Sequence, residues 1–163
     1  MARPWFDCQP VDEEFFESAP MRLRAGFAID RPADEVWADL TSESPLSWCR
    51  ILQRVTWTSE RPFGVGTTRT VRALGGANVL KEHYFRWEEG KRHSFYVVEA
   101  SSPMFRRFAE DYLVTESSPT SCVFTWTIAA DPRPFARLGE PLNRRILGSL
   151  FHDTRKFYDA TMV

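Results

Sequence analysis

The sequence has no surplus of charge. Lysine and arginine total 21 against 22 aspartates and glutamates, leaving a net charge of -1. Such a balance gives no broad field of one sign to attract nucleic acid or an anionic membrane. Cysteine is scarce and scattered: Cys8, Cys49 and Cys122 stand far apart with no C-x-x-C pair. An odd number of isolated cysteines excludes a disulfide framework and fits a reducing cytoplasm, where the chain is expected to reside. The first stretch, MARPWFDCQPVDEEFFESAP, lacks the apolar centre of a signal peptide. No window approaches the run of about 18 apolar residues that a spanning helix needs. The chain also lacks H-E-x-x-H, paired C-x-x-C, G-x-x-x-x-G-K-[ST] and G-x-S-x-G. Metal, phosphate-loop and serine-hydrolase chemistry therefore have no support, and no cofactor or metal is expected. G-V-G-T-T-R has two glycines but neither the third glycine nor the strand-to-helix setting of a nucleotide site.

What the sequence does have is aromatic mass, with 13 Phe and 6 Trp in 163 residues. That length is one domain with a sizeable core, and aromatics both fill such cores and line cavities for apolar ligands. Residues 1–20 read as an acidic, aromatic extension, either a tail docked through one or two rings or a cover over a ligand site; residues 21–163 read as the domain. MRLRAGFAID alternates, with Leu23, Ala25, Phe27 and Ile29 opposed to Arg22 and Arg24, the pattern of a half-buried strand. Pro32 opens a short helix whose first turn carries Asp34 and Glu35 and whose apolar stripe is Val36, Trp37 and Leu40. Ser44-Pro45 predicts a second short helix bearing Leu46 and Trp48.

Six strands with breakers between them follow, near 52–59, 67–74, 79–88, 91–101, 107–116 and 121–130. Short turns between successive strands make them antiparallel neighbours. After Pro132 and Pro134, Leu138, Leu142, Ile146, Leu150 and Phe157, with Leu147, Phe151 and Tyr158 beside them, predict one long helix with a broad apolar stripe, its start or a kink marked by Pro141. Gly148 in that helix suits either close backbone packing or room for a ligand. The expected architecture is α+β: seven antiparallel strands curved round a long C-terminal helix, with two short helices between the first two strands.

This order, together with IDRPADEVWADL (Ile29–Leu40), Trp48, FGVGTTR (Phe63–Arg69), FRWEEGKR (Phe85–Arg92) and FTWT (Phe124–Thr127), resembles the START-like superfamily, in particular its polyketide cyclase/dehydrase and lipid-transport branch. The resemblance covers about Met21 to Tyr158. It implies a helix-grip fold with a cavity between sheet and helix that takes lipids, sterols, polyketides or other hydrophobic molecules; some members cyclise or dehydrate them. The matched motifs belong to the scaffold, so the resemblance carries over no catalytic residue.

Candidate polar groups come from the hairpin KEHYFRWEEGKRHSFYVV (Lys81–Val98). A two-residue loop at Glu89-Gly90 would set Glu88 opposite Lys91, Trp87 opposite Arg92, Arg86 opposite His93, Tyr84 opposite Phe95 and Glu82 opposite Val97. One face then carries Glu82, Tyr84, Arg86, His93 and Phe95, and it either looks inward or is solvated. On the next hairpin an even turn places Asp111 with Phe124 and Trp126, whereas an odd turn places Glu110 and Tyr112 there. Arg69 would neutralise such an acid. His152 reads as a surface residue.

Three readings follow. The first is a carrier of a hydrophobic small molecule, with walls from Trp48, Phe95, Tyr112, Trp126, Leu147 and Phe151 and polar contacts from Arg69, Glu82, Tyr84, His93 and an acid, Glu110 or Asp111. The second is an aldol cyclase or dehydratase with Glu82 or His93 as base and Tyr84 or Arg69 as donor to the enolate oxygen. The third is a protein-interaction module; a homodimer is left open.

Overall fold

In the computed structural model, which describes residues 2–163, the first residue of the extension lies outside the described residues. The extension holds β1 (Phe6–Asp7) and α1 (Phe15–Ser18). Then come β2 (Met21–Ile29), α2 (Ala33–Leu40), β3 (Leu52–Trp57), β4 (Thr68–Ala73), β5 (Asn78–Glu88), β6 (Arg92–Ala100), β7 (Phe105–Ser118), β8 (Ser121–Pro132), α3 (Glu140–Tyr158) and β9 (Thr161–Met162). All seven predicted strands form; β1 and β9 add two residues each, giving nine strands among the described residues. The order β3-β4-β5-β6-β7-β8-β2-β9 is antiparallel throughout, because short turns can join only antiparallel neighbours. β8 then pairs with β2 from Ile29–Cys122 to Met21–Ala130. The apolar residues of both alternating strands thereby line the concave face.

α2 forms as its sequence suggests, with Asp34 and Glu35 in its first turn and Val36, Trp37 and Leu40 buried. The predicted second helix does not form. Residues 45–48 make a turn in which Leu46 takes φ 58° and is buried, and the Cys49 amide donates to the Leu46 carbonyl at 2.9 Å. Burying Leu46 outweighs both the cost of a left-handed leucine and the capping signal of Ser44-Pro45.

α3 begins at Glu140-Pro141 after a 3₁₀ turn, Pro134–Gly139. Its predicted stripe is covered only in the second half of the helix, where Tyr158 is buried and Ile146, Leu147 and Phe151 are half-buried. Leu150 is buried, but Leu142 is 61 % exposed and Leu138, in the preceding turn, 92 % exposed. Asp153 and Thr154 are buried instead, held by the Arg50 amide and guanidinium (2.9 and 3.0 Å) and by the Trp48 indole N–H (3.0 Å). Those bonds set the helix rotation, Phe151 reaches Phe27 and Trp126, and nearer the N-terminus Arg144 donates to the Arg22 carbonyl of β2 at 3.2 Å. A Cβ at Gly148 would meet nothing within 4 Å, so this glycine serves no close packing.

The extension is docked on the convex face. β1 pairs with β6 beyond the point where β7 leaves it, and the Cys8 amide donates to the Val98 carbonyl at 2.8 Å. Phe15 and Phe16 pack over Ala109 and Ala129, two small side chains that leave room for rings. Phe15→Ala is expected to lower stability by about 3 kcal/mol in chemical denaturation. A freely hanging tail would give no change.

Candidate functional site

The hairpin of β5 and β6 carries half of the site, and its register differs from the expected one near the turn. Gly90, at φ 75°, lets the Lys91 amide reach the Glu88 carbonyl at 3.0 Å, and Glu88 pairs with Arg92 across a three-residue loop. Arg86 therefore faces Ser94, and Trp87 faces His93. A bulge at Phe85 absorbs the extra residue, so Tyr84 pairs with Phe95 and Glu82 with Val97, as the sequence suggests. The bulge turns over three side chains, Arg86, Trp87 and Glu88. Trp87 turns to the concave face against Tyr84 and His93, while Arg86 turns to the convex face and binds Glu88 and Glu13.

β7 resolves the second alternative. Glu110 pairs with Ile128 and Tyr112 with Trp126, so both face the interior. Asp111 does not. It lies on the convex face, accepting from Arg92 at 2.8 Å and Ser94 at 2.6 Å.

The interior cluster is built on Arg69 of β4, which sits opposite Glu82 of β5 and bonds it through Nε. Both side chains are almost wholly buried. The guanidinium also lies 4.3 Å from the Phe95 ring centre and 5.5 Å from that of Trp57. Burial opposes the charge of Arg69, but the Glu82 carboxylate outweighs it and keeps the guanidinium protonated. Burial likewise raises Glu82 above its ordinary value, and Arg69 pulls it back.

His93 is enclosed by Trp87 (5.1 Å, stacked), Tyr84 (5.1 Å), Trp37 (5.2 Å) and Tyr112 (4.8 Å). Burial, and then the Arg69 charge, hold its pKa well below normal, so the imidazole is neutral. Glu110 accepts from the Tyr112 hydroxyl at 2.8 Å and the Trp126 indole at 2.9 Å, both on Oε2. Burial and the Glu82 charge push its pKa up to about 7 against the opposing pull of those two donors and Arg69. Four buried polar atoms here have no partner: Arg69 Nη1, the Tyr84 hydroxyl and both ring nitrogens of His93.

Of the sequence candidates, Arg69, Glu82, Tyr84, His93, Phe95, Tyr112 and Trp126 come together. Phe151 closes over Trp126 at 5.5 Å, and Leu147 packs partly buried at the margin. Trp48 does not join them; it stacks on Phe157 at 4.2 Å and bonds Thr154 on α3. His152 is exposed, as expected. Trp37, Trp57 and Trp87 also line the interior, although none of them was among the sequence candidates. Trp87 reaches it only through the bulge at Phe85, which no turn residue or break in alternation signals. Among the described residues, no group of three His, Cys, Asp or Glu side chains is set to hold a metal.

Residues 21–155 match the family described as polyketide cyclase / dehydrase and lipid transport. The chain belongs to that family. An uncharacterised protein of Mycobacterium tuberculosis (strain ATCC 25618 / H37Rv) is 34% identical over 160 residues, 95% of each chain, and one of Mycobacterium bovis matches equally. Among solved structures, a START superfamily protein from Mycobacterium smegmatis superposes with a TM-score of 0.66 at 10% identity, covering 85% of this chain and 97% of that one. The ZhuI aromatase/cyclase from Streptomyces sp. R1128 gives 0.64 at 12% identity, covering 84% and 95%. Norcoclaurine synthase from Thalictrum flavum, in complex with dopamine and hydroxybenzaldehyde, gives 0.61 at 14% identity, covering 93% and 94%. At such identities the likeness is one of fold: the helix-grip arrangement of this family.

Glu110 also gives the fold a pH dependence. Its folded pKa lies above its ordinary 4.5. The folded state binds the proton more tightly, so this contribution is complete below about pH 4.5 and is lost as pH rises through about 7. Glu110→Gln removes the titration while keeping an acceptor for Tyr112 and Trp126. In urea unfolding the variant is expected to gain on the wild type by about 2 kcal/mol between about pH 5 and about pH 8. Parallel curves for the two proteins would mean that Glu110 does not titrate inside the fold.

Proposed function

We propose that the protein binds a hydrophobic small molecule bearing a carbonyl or hydroxyl group between the concave face of the sheet and α3. The observation that carries this reading is the set of unpartnered polar atoms on Arg69, Tyr84 and His93 amid aromatic walls. Buried polar groups are rarely left unsatisfied, and a site built to hydrogen-bond a ligand meets that demand when the ligand is present. Arg69 Nη1 and the Tyr84 hydroxyl donate to a carbonyl oxygen; neutral His93 offers one donor and one acceptor. Apolar ligand surface adds about 25 cal/mol per Å² buried. Three free, buried thiols suit a reducing cytoplasm as the place where this happens.

Tyr84→Phe separates the ligand role from a structural one, because the hydroxyl it removes has no partner in the fold. The variant is expected to be as stable as the wild type or about 1 kcal/mol more so, and to bind an environment-sensitive aryl ketone dye about tenfold more weakly. Unchanged dye affinity, or a clear loss of stability, would overturn the assignment of this hydroxyl. Native mass spectra before and after denaturation would identify a molecule retained from the host.

A second reading, catalysis of enolisation in the same interior, is favoured by Glu110. The sequence points to Glu82 or His93 as base, but Glu82 is bound to Arg69, and neither His93 nitrogen has an orienting partner. Glu110 is poised near neutrality and oriented by two donors. Its carboxylate would take a proton from carbon beside the bound carbonyl, the C–H pair would become the enolate, and Arg69 and Tyr84 would hold the oxygen. Deuterium exchange at that carbon of the aryl ketone, followed by NMR, is expected to rise with pH through about 7 and to vanish in Glu110→Gln. Equal exchange in both proteins would leave binding alone.

A further inference from the structure

The net charge of -1 conceals a strong local asymmetry. From Arg133 to Arg145 the chain carries Arg133, Arg137, Arg144 and Arg145 against the single acid Glu140. The same stretch brings three exposed large apolar side chains close together in sequence: Phe135 at 59 %, Leu138 at 92 % and Leu142 at 61 %. Leu142 and Arg145 are three residues apart on one side of α3, and Leu138 stands in the turn that precedes it. Arg144 bonds Glu140 at 2.8 Å, and Arg133 donates to the Asp7 carbonyl. Arg137 and Arg145 are exposed and make no ion pair among the described residues.

We propose that the Pro134–Gly139 turn and the first turns of α3 dock on an anionic lipid surface. Protruding apolar residues flanked by unpaired arginines are what an interfacial segment needs: the rings and leucines enter the acyl boundary while the guanidinium groups stay among anionic headgroups. A second copy of this chain fits less well. A two-fold interface through this face would set arginines against arginines. The three apolar side chains are largely exposed, which suits a deformable interface better than the pocket of a folded partner.

Docking here deepens the proposed function, on which its biological sense rests. It would bring α3, whose Leu147 and Phe151 border the interior site, to a source of apolar ligand.

The test uses the full chain and sedimentation with vesicles. Wild type is expected to bind vesicles of equal parts phosphatidylcholine and phosphatidylserine and not phosphatidylcholine alone, with binding weakened as salt is raised. Arg137→Glu with Arg145→Glu is expected to lower partitioning at least about tenfold, and Leu138→Asp about fivefold or more. These positions are exposed, so circular dichroism and unfolding midpoints should not move. Any of three results would overturn the proposal: no binding to the anionic vesicles; binding that both variants retain, which puts the contact elsewhere; or wild-type self-association that Leu138→Asp abolishes, which makes the face a protein interface. Dye binding measured without vesicles on the same proteins tests the interior site separately, so either idea can fail while the other stands.

Discussion

A guanidinium shut away from water must receive its counter-charge from the fold, and for Arg69 that charge comes from Glu82, directly across the β4–β5 ladder. The pairing fixes more than two side chains. Once Glu82 is committed to Arg69, the second interior carboxyl, Glu110, has no cation of its own and is satisfied by a hydroxyl and an indole instead. Those neutral donors are weaker than a guanidinium, so its proton is held to near neutrality. Burial keeps His93 neutral, and the same positive charge reinforces it. The ionisation state of the interior thus follows from one strand register.

That register is also where reading the sequence failed and where it succeeded. The seven long strands and their antiparallel order were legible because alternation and turn residues are local signals. So were Arg69, Glu82, Tyr84, His93 and Phe95, whose parity survives as long as the pairing is intact. Trp87 and Arg86 were exchanged because one extra residue at Phe85 flips every side chain between the bulge and the loop. Asp111 and Glu110 were indistinguishable for the same reason, since a turn of odd or even length reverses the face. In α3 the predicted stripe holds at Leu147, Leu150, Phe151 and Tyr158, but Leu138 and Leu142 are exposed and two polar residues enter the buried face. Asp153 and Thr154 are held there by bonds to residues about a hundred positions earlier, which no helical period encodes.

The two faces of the sheet are closed in different ways. The convex face is sealed by the extension, where Phe15 and Phe16 lie on two alanines and Arg86 reaches Glu13. Arg92 and Asp111 fill the same side with a half-buried pair. The concave face depends on α3, which is anchored by buried bonds at Asp153 and Thr154 and by an exposed one, from Arg144 to the Arg22 carbonyl, toward Leu138. Freedom to open therefore lies at the N-terminal end of that helix, because movement there breaks few buried contacts.

The unpartnered atoms give that freedom a thermodynamic direction. Each buried polar group without a hydrogen bond costs about 1–3 kcal/mol. Arg69, Tyr84 and His93 together leave four such atoms, a burden comparable with much of the roughly 5–15 kcal/mol that holds a domain folded. A fold tolerates that cost when the strained groups are the ones that do the recognising. A molecule that supplies their missing partners recovers part of the penalty as binding energy, so ligand and fold stabilise each other. An apolar molecule of equal shape, having no partners to offer, leaves the cost in place. Under the proposed function, discrimination between a ketone and its parent hydrocarbon would arise from the protein's own unsatisfied groups, and the aromatic walls would supply affinity without choosing between the two.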